Sequence, residues 1–213
     1  MFPLNCKLEV IKKETFSESS VRSIKLSPNI KEIRERVFML CSDLQKIEIP
    51  ADSKLTLIGS NAFSNTKIES FTIPPNLVDL KDDWCFYIKN LTKINVCPDN
   101  NCFKSYNDEF IIKKSSNESE NYNVLAFCNR NIKTATIPKF IKYIGPYAFS
   151  KCNQLQNVQI PTDSELQIID SEKAFLSIMN VLGNGCKRLR EIEIPNDSKF
   201  ETIESRAFNN VAI

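Results

Sequence analysis

Histidine is absent from the sequence of 213 residues, and its absence excludes several kinds of active site. Ser-His-Asp and Cys-His catalysis, HExxH metal sites and imidazole pH switches all need a histidine. Glycine occurs only 4 times, and no GxGxxG or Walker-type loop is present to bind phosphate groups. The acidic residues are dispersed, and no pair is placed for acid–base catalysis. The sequence therefore predicts a protein that is not an enzyme and that holds no cofactor and no metal.

Neither charge nor hydropathy indicates a nucleic acid or a membrane as the partner. Lys and Arg number 28 against 26 for Asp and Glu, so the formal net charge is only +2. No apolar run approaches the roughly 20 residues that a membrane-spanning helix needs. The first residues lack the basic and apolar segments of a signal peptide. The expectation is therefore a chain without a membrane span or a signal peptide, and the compartment stays open.

An internal repeat is the main feature of the sequence. Ile-Pro dipeptides, each preceded two residues earlier by an apolar residue, recur with a period of about 23 residues at Ile49, Ile73, Ile137, Ile160 and Ile194. Degenerate copies lie at Ile24–Leu26 and Ile94–Val96. The period predicts one domain over 1–213 with repeats near 2–26, 26–49, 49–73, 73–96, 96–137, 137–160, 160–194 and a truncated 194–213.

Each repeat predicts a short strand, a turn and a second extended stretch. An apolar-x-apolar triplet is a strand with one buried face, and the proline after it ends pairing because it has no N–H. A Leu-x-x-Ile stretch sends further apolar side chains inward, and an Ala-Phe pair fills the core at a turn. No single unit buries its apolar face alone, so about eight coils must stack into a mainly β solenoid with a continuous core.

Two repeats carry insertions. In 96–137, the strand-like segments 109–113 and 122–126 flank the polar segment 115–121, which predicts a β-hairpin. In 160–194, Asp170 or Ser171 caps a predicted short helix that ends near Gly183. That helix places Phe175, Ile178, Met179 and Leu182 on one face, which either covers the solenoid or docks a partner.

The repeat resembles a known family. The segment Pro138 to Pro161 reads Ile-x-x-Ile-x-x-x-Ala-Phe-x-x-Cys-x-x-Leu-x-x-Val-x-Ile between its prolines, and it is similar to the BspA-like leucine-rich repeats. These repeats occur on surface proteins of anaerobic bacteria and parasitic protists. The resemblance implies a right-handed solenoid with a parallel sheet on its concave side. It also implies a role in binding or adhesion rather than in catalysis.

The side chains that flank each inward-facing triplet residue form the candidate binding surface. Alternate strand residues point to opposite faces, so these polar residues stack from coil to coil on the solvent-facing side of the concave sheet. The row is weakly basic in its N-terminal half and acidic at its C-terminal end. An ordinary solvated sheet is the alternative. The candidate residues are Lys25, Lys46, Glu48, Thr72, Lys93, Asn95, Thr136, Gln159, Glu191 and Glu193.

The eight cysteines form two groups in the sequence. Cys41, Cys152 and Cys186 each precede a leucine by three residues, which predicts small buried core residues, and Cys85 at the phenylalanine position is expected to be similar. The cysteines at 97, 102 and 128 lie around the hairpin repeat, where a disulfide or, less favourably, a zinc site is conceivable. Their thiol or disulfide state stays open.

These observations predict a protein-binding repeat protein. The first hypothesis is a cell-surface antigen that acts in adhesion or host interaction. It would bind a host protein or a copy of itself through the concave sheet. The alternative is an intracellular leucine-rich-repeat scaffold or adaptor in the cytoplasm, which eight thiols and the missing signal peptide would suit. The last repeat stops before its closing strand, so we also expect end-to-end self-association through an uncapped C-terminal coil.

Overall fold

The computed structural model describes residues 6–88, 90–170, 174–175, 186, 188–197, 199–203 and 207. The chain divides into two compact units, 1–104 and 105–213. Each unit is a β-solenoid whose coils follow the sequence repeat, so the predicted mainly β solenoid class is confirmed. That the two units make one continuous solenoid domain stays a prediction. Among the described residues no helix occurs, and the predicted helix near 171–183 falls almost entirely outside them.

Unit 1 is built from two kinds of short parallel strand that alternate along the chain. The four two-residue strands β1 (Val10–Ile11), β3 (Glu32–Ile33), β5 (Leu57–Ile58) and β7 (Asp79–Leu80) form one parallel sheet in that order. The longer strands are β2 (Ser23–Lys25), β4 (Lys46–Glu48), β6 (Ser70–Ile73) and β8 (Lys93–Val96), of which β2 pairs with β4 and β6 with β8.

Unit 2 repeats this arrangement and adds the hairpin. Its six-stranded sheet has the order β17, β15, β13, β11, β10, β9, and β12, β14 and β16 form a separate parallel sheet. The strands are β9 (Phe103–Tyr106), which crosses the division between the units, β10 (Phe110–Lys113), β11 (Val124–Cys128), β12 (Thr134–Thr136), β13 (Tyr143–Ile144), β14 (Asn157–Gln159), β15 (Ile168–Ile169), β16 (Glu191–Glu193) and β17 (Thr202–Ile203).

The predicted hairpin is confirmed, and one strand was not predicted. Strands β10 and β11 pair antiparallel, with Phe110 opposite Cys128 and a register shift after Ile111. The additional strand β9 precedes β10 through a turn in which Asn107 and Asp108 both have positive φ, at 51° and 55°. Positive φ at two successive turn residues is the geometry that matches the twist of a tight hairpin.

Backbone hydrogen bonds also join successive coils at the Ala-Phe turn. Phe16 N–H donates to Val37 C=O at 3.0 Å, and Phe38 N–H donates to Ala62 C=O at 2.8 Å. Residues with positive φ recur four apart around this turn although none of them is glycine, as at Glu14 and Glu18, Arg36 and Leu40, Asn61 and Asn65, and Tyr147 and Lys151. The left-handed region disfavours side chains, so the bonds between coils must stabilise the turn.

The phenylalanines of the turn form aromatic columns in the core. In unit 1, Phe16 stacks on Phe38 and Phe38 on Phe63, both with ring centroids 5.3 Å apart. The edge of the Trp84 indole meets the Phe63 ring at 6.0 Å. In unit 2, Phe149 and Phe175 stack at 4.6 Å with an interplanar angle of 2°. Each coil therefore places its ring on the ring of the previous coil, as a stacked solenoid requires.

Candidate binding surface

The outward side chains of the longer strands form the surface that we call the strand face. All ten predicted binding residues lie on β2, β4, β6, β8, β12, β14 or β16, and each is exposed or half-buried. The central residue between them points inward: Ile24, Phe71, Ala135 and Val158 are all buried. The alternation of inward apolar and outward polar side chains is the pattern of a strand with one solvated face.

In unit 1 the strand face carries a lysine-rich pattern. The Lys46 ammonium contacts the Glu48 carboxylate of the same strand at 2.7 Å, and Lys25 is the cross-strand neighbour of Glu48. The hydrogen bond and charge of Lys46, with a smaller effect of Lys25, lower the pKa of Glu48. On the next pair of strands, Thr72 neighbours Asn95 and Lys93 neighbours Ser70.

In unit 2 the strand face is polar at one edge and acidic at the other. The register aligns Thr136, Gln159 and Glu193 in one row across β12, β14 and β16. Thr136 donates its hydroxyl to the Gln159 amide oxygen at 3.1 Å. Glu191 and Glu193 are both exposed on β16 with one residue between them. The structure thus arranges the predicted residues of this unit as cross-strand neighbours.

A cavity of about 990 Å³ opens on the strand face of unit 1 where β4 and β6 are not paired. We call it the β4–β6 groove. It brings together four predicted binding residues, Lys25, Lys46, Glu48 and Thr72. The groove is also lined by residues that were not predicted as binding residues, which include Ile47, Ile49, Pro50, Glu69, Ser70, Pro74, Pro75 and Pro98. Lys93 and Asn95 lie outside the lining of this groove.

The cysteines that were predicted as core residues are buried. Cys41, Cys152 and Cys186 are fully inaccessible, and so is Cys128. Cys85 differs from its predicted burial because it is half-buried, while Trp84 beside it fills the core. No disulfide joins any of the eight cysteines, all of which belong to the described residues. Within those residues no group of three His, Cys, Asp or Glu side chains is placed to hold a metal ion.

Burial should divide the thiols into two classes of reactivity. In the folded chain we expect iodoacetamide to modify the half-buried Cys6, Cys85, Cys97 and Cys102 at least about tenfold faster than Cys41, Cys128, Cys152 and Cys186. Thiolates are the reacting form, and burial raises the pKa of Cys128 and of Cys186. Peptide mapping by mass spectrometry after timed alkylation gives the eight rates. Equal rates in the folded and the urea-unfolded chain would contradict this core assignment.

In the part of the chain that the structure describes, no helix is long and apolar enough to span a membrane.

Solved structures of bacterial proteins are similar to this chain. The chain superposes on the pneumococcal vaccine antigen PcpA with a TM-score of 0.74 and 24% identity, over 89% of this chain and 43% of that one. It therefore spans less than half the length of that PcpA chain. A leucine-rich cell surface protein from Faecalibacterium prausnitzii A2-165 gives a TM-score of 0.57 and 15% identity over 96% and 72% of the chains.

A third solved structure and the family comparison agree with this fold. A leucine-rich repeat protein from Eubacterium ventriosum ATCC 27560 gives a TM-score of 0.58 and 18% identity over 94% of this chain and 67% of that one. Among curated proteins, none matches the sequence. The family model described as BspA type leucine rich repeat region (6 copies) matches residues 9–119 and 99–212. The chain therefore belongs to the BspA-type leucine-rich repeat family.

Proposed function

We propose that the chain is a non-enzymatic adhesion module of a cell surface, which binds a protein partner through the strand face. The observation that carries this proposal is the row of exposed polar side chains held in register on successive parallel strands. A repeated surface of this kind offers many weak contacts, whose sum gives affinity. The antigen and surface-protein descriptions of PcpA and the Faecalibacterium protein support the surface location.

Charge on the strand face gives the proposal its test. In unit 2 the acidic pair Glu191 and Glu193 lies on an edge strand with both carboxylates exposed. Exposed charges steer association and are screened by salt, so a partner that meets them is expected to bind less well at high ionic strength. The hairpin segment carries a matched pair, Glu118 and Glu120, which is exposed but lies off the strand face.

Charge reversal on the strand face is expected to weaken attachment to cells. We expect beads coated with Glu191→Lys/Glu193→Lys to bind epithelial cells about fivefold less than wild-type beads, a loss of about 1 kcal/mol. The control Glu118→Lys/Glu120→Lys changes the net charge equally and should bind like wild type. Bead counts by flow cytometry at low and high salt provide the measurement. Equal attachment by both double variants, or none above uncoated beads, would overturn the proposal.

The absence of disulfides among the described cysteines favours a second candidate, an intracellular scaffold that uses the same surface. An antibody against the chain separates the two functions when it is applied to intact and to permeabilised producing cells. Staining of intact cells supports the adhesion module, and staining only after permeabilisation supports the scaffold. Self-association through the C-terminal coil stays a prediction, which light scattering across a concentration series tests.

A further inference from the structure

The β4–β6 groove exists because one sheet of unit 1 is interrupted. In unit 2 the corresponding sheet pairs β12, β14 and β16 without a break, and in unit 1 the two-residue strands β3, β5 and β7 also pair continuously. Among the described strands of unit 1, successive longer strands fail to pair at one place, between β4 and β6, although β3, β5 and β7 of the same coils are paired. The chain from Ile58 to Phe71 is one residue shorter than Ile33 to Ile47, but Ile11 to Ile24 is equally short and its strand β2 still pairs with β4, so length alone does not cause the interruption.

The interruption leaves strand peptide groups directed into the groove. The Glu48 C=O accepts from Leu26 N–H at 2.9 Å on the β2 side, so the alternation along the strand turns the N–H and C=O of Ile47 toward β6. In β6, on the other side of the groove, the Ile73 C=O accepts a hydrogen bond from Cys97 N–H at 2.9 Å, on the β8 side. By the same alternation, the peptide groups of Ser70 and Thr72 face β4.

The floor of the groove is apolar and the opening is short. Ile47 is only half-buried, whereas Ile24, Phe71 and Ile94 at the same strand position are buried. The neighbouring coils are joined before the groove by Lys67 N–H donating to Leu44 C=O at 2.8 Å. They are joined again beyond it by the Asn76 amide donating to Ser53 C=O at 2.7 Å. The unpaired stretch between these bonds has the length of one short strand.

The rims of the groove specify charge as well as shape. A strand that lies parallel between β4 and β6 has its inward residue level with Ile47 and Phe71. Its preceding residue is level with Lys46 and Ser70, and its following residue is level with Glu48 and Thr72. Opposite charges in cross-strand positions stabilise pairing, and like charges destabilise it. The rims therefore favour the order acidic, apolar, basic.

The geometry points to a peptide-binding site: the β4–β6 groove accepts a short extended segment of a partner protein, with the order acidic–apolar–basic, as an added parallel strand. The apolar residue of that segment donates its N–H to Ser70 C=O and accepts from Thr72 N–H. The residues before and after this apolar residue form hydrogen bonds with the N–H and C=O of Ile47, and the apolar side chain covers the side chain of Ile47. This inference rests on the proposed function, because it names the partner chemistry for one part of the strand face.

A second copy of this chain has the required order at Glu32-Ile33-Arg34 and Asp79-Leu80-Lys81, but these segments begin on β3 and β7, which are already paired in the sheet of two-residue strands. A folded copy therefore does not offer either of them as a free extended segment. The longer strands of the described residues have the central triplets Ser-Ile-Lys, Lys-Ile-Glu, Ser-Phe-Thr, Lys-Ile-Asn, Thr-Ala-Thr, Asn-Val-Gln and Glu-Ile-Glu. None of these has an acidic residue before and a basic residue after the apolar one. The charge complementarity of the groove is therefore directed at a different protein.

A titration of the full chain with blocked peptides tests the site. The probes are the N-acetylated, C-amidated peptide Ser-Glu-Ile-Lys-Ser and its charge-exchanged control Ser-Lys-Ile-Glu-Ser. We expect the first to bind about tenfold more tightly, and to shift the NMR signals of the Ile47 and Thr72 amides. The variant Lys46→Glu should reduce this affinity about tenfold. The matched variant Lys12→Glu, at an exposed lysine of unit 1 that lies off the strand face, should leave it unchanged.

The outcomes separate this site from the adhesion proposal. Equal binding of the two peptides, no binding of either, or equal effects of Lys46→Glu and Lys12→Glu would overturn the groove as a parallel peptide site. The bead assay on Glu191→Lys/Glu193→Lys is independent, because those residues lie in unit 2. If the beads attach through the strand face and the peptides do not bind, the groove proposal fails and the proposed function stands. If the peptides bind and the beads do not attach, adhesion fails.

Discussion

The substitution Phe38→Ala is expected to lower the free energy of unfolding by about 3–5 kcal/mol, among the largest single losses in this chain. Phe38 is fully buried, and its ring is stacked between those of Phe16 and Phe63 at 5.3 Å on either side. Alanine removes the ring and leaves a cavity between two coils. The neighbouring rings cannot close this cavity, because two backbone hydrogen bonds hold the coils in place: Phe38 N–H donates to Ala62 C=O at 2.8 Å, and Phe16 N–H donates to Val37 C=O at 3.0 Å.

Urea unfolding followed by circular dichroism measures this loss. The matched control is Phe140→Ala, which makes the same change at a phenylalanine that is 40% exposed. Its ring has an edge contact with Tyr106 at 5.4 Å, so we expect a loss below about 1 kcal/mol there. Similar losses at both positions would mean that the aromatic column does not stabilise the core. A second transition that appears only in the Phe38→Ala chain would show that the two units unfold separately.

The coil architecture was predictable because neighbouring residues within each repeat indicate where its strand begins and ends. An apolar-x-apolar triplet followed by proline is recognised from two periods alone: two residues along the strand and about 23 residues along the solenoid. The hairpin was also predictable from local sequence, since the strand-like segments 109–113 and 122–126 flank the polar segment 115–121. Strand β9 was missed because Phe103–Tyr106 has little apolar pattern. The Asn107-Asp108 turn was the signal that could have indicated it.

The groove was not predictable from the period, because it depends on whether two coils come close enough to pair. The apolar markers Ile49 and Ile73 are 24 residues apart, against 23 for the intervals on either side, and this small difference does not indicate a gap. The turn from Phe63 to Phe71 is as short as that from Phe16 to Ile24, whose strand β2 does pair with the next coil. At the first of these turns Thr66 stands where Cys41 stands one coil earlier, and its hydroxyl donates to Phe63 C=O at 2.9 Å. The outward residues followed from strand alternation alone, so their exposure could be predicted, whereas the partner they bind could not.

The second large effect is expected at Gly59, where two coils approach closely. A Cβ at this position would lie 2.6 Å from Glu35 N and 2.7 Å from Arg34 C, which are backbone atoms of the preceding coil. Gly59→Ala therefore forces the coils apart at the end of β5, where Gly59 N–H donates to Ile33 C=O at 2.8 Å. We expect the free energy of unfolding to fall by about 3 kcal/mol. Urea unfolding monitored by circular dichroism measures the change.

Gly145 is the matched control, because it has the same place in a coil of unit 2. It follows β13 as Gly59 follows β5, and its N–H donates to Leu125 C=O at 2.9 Å. A Cβ there would lie 3.3 Å from the Leu125 oxygen and 3.6 Å from a Val124 methyl group, contacts that small shifts relieve. Alanine also reduces the entropy of the unfolded chain, which offsets that adjustment, so Gly145→Ala should change stability by less than about 1 kcal/mol. If both substitutions cost the same, glycine is needed for the turn itself; a loss only at Gly59 identifies the close approach of the coils as the cause.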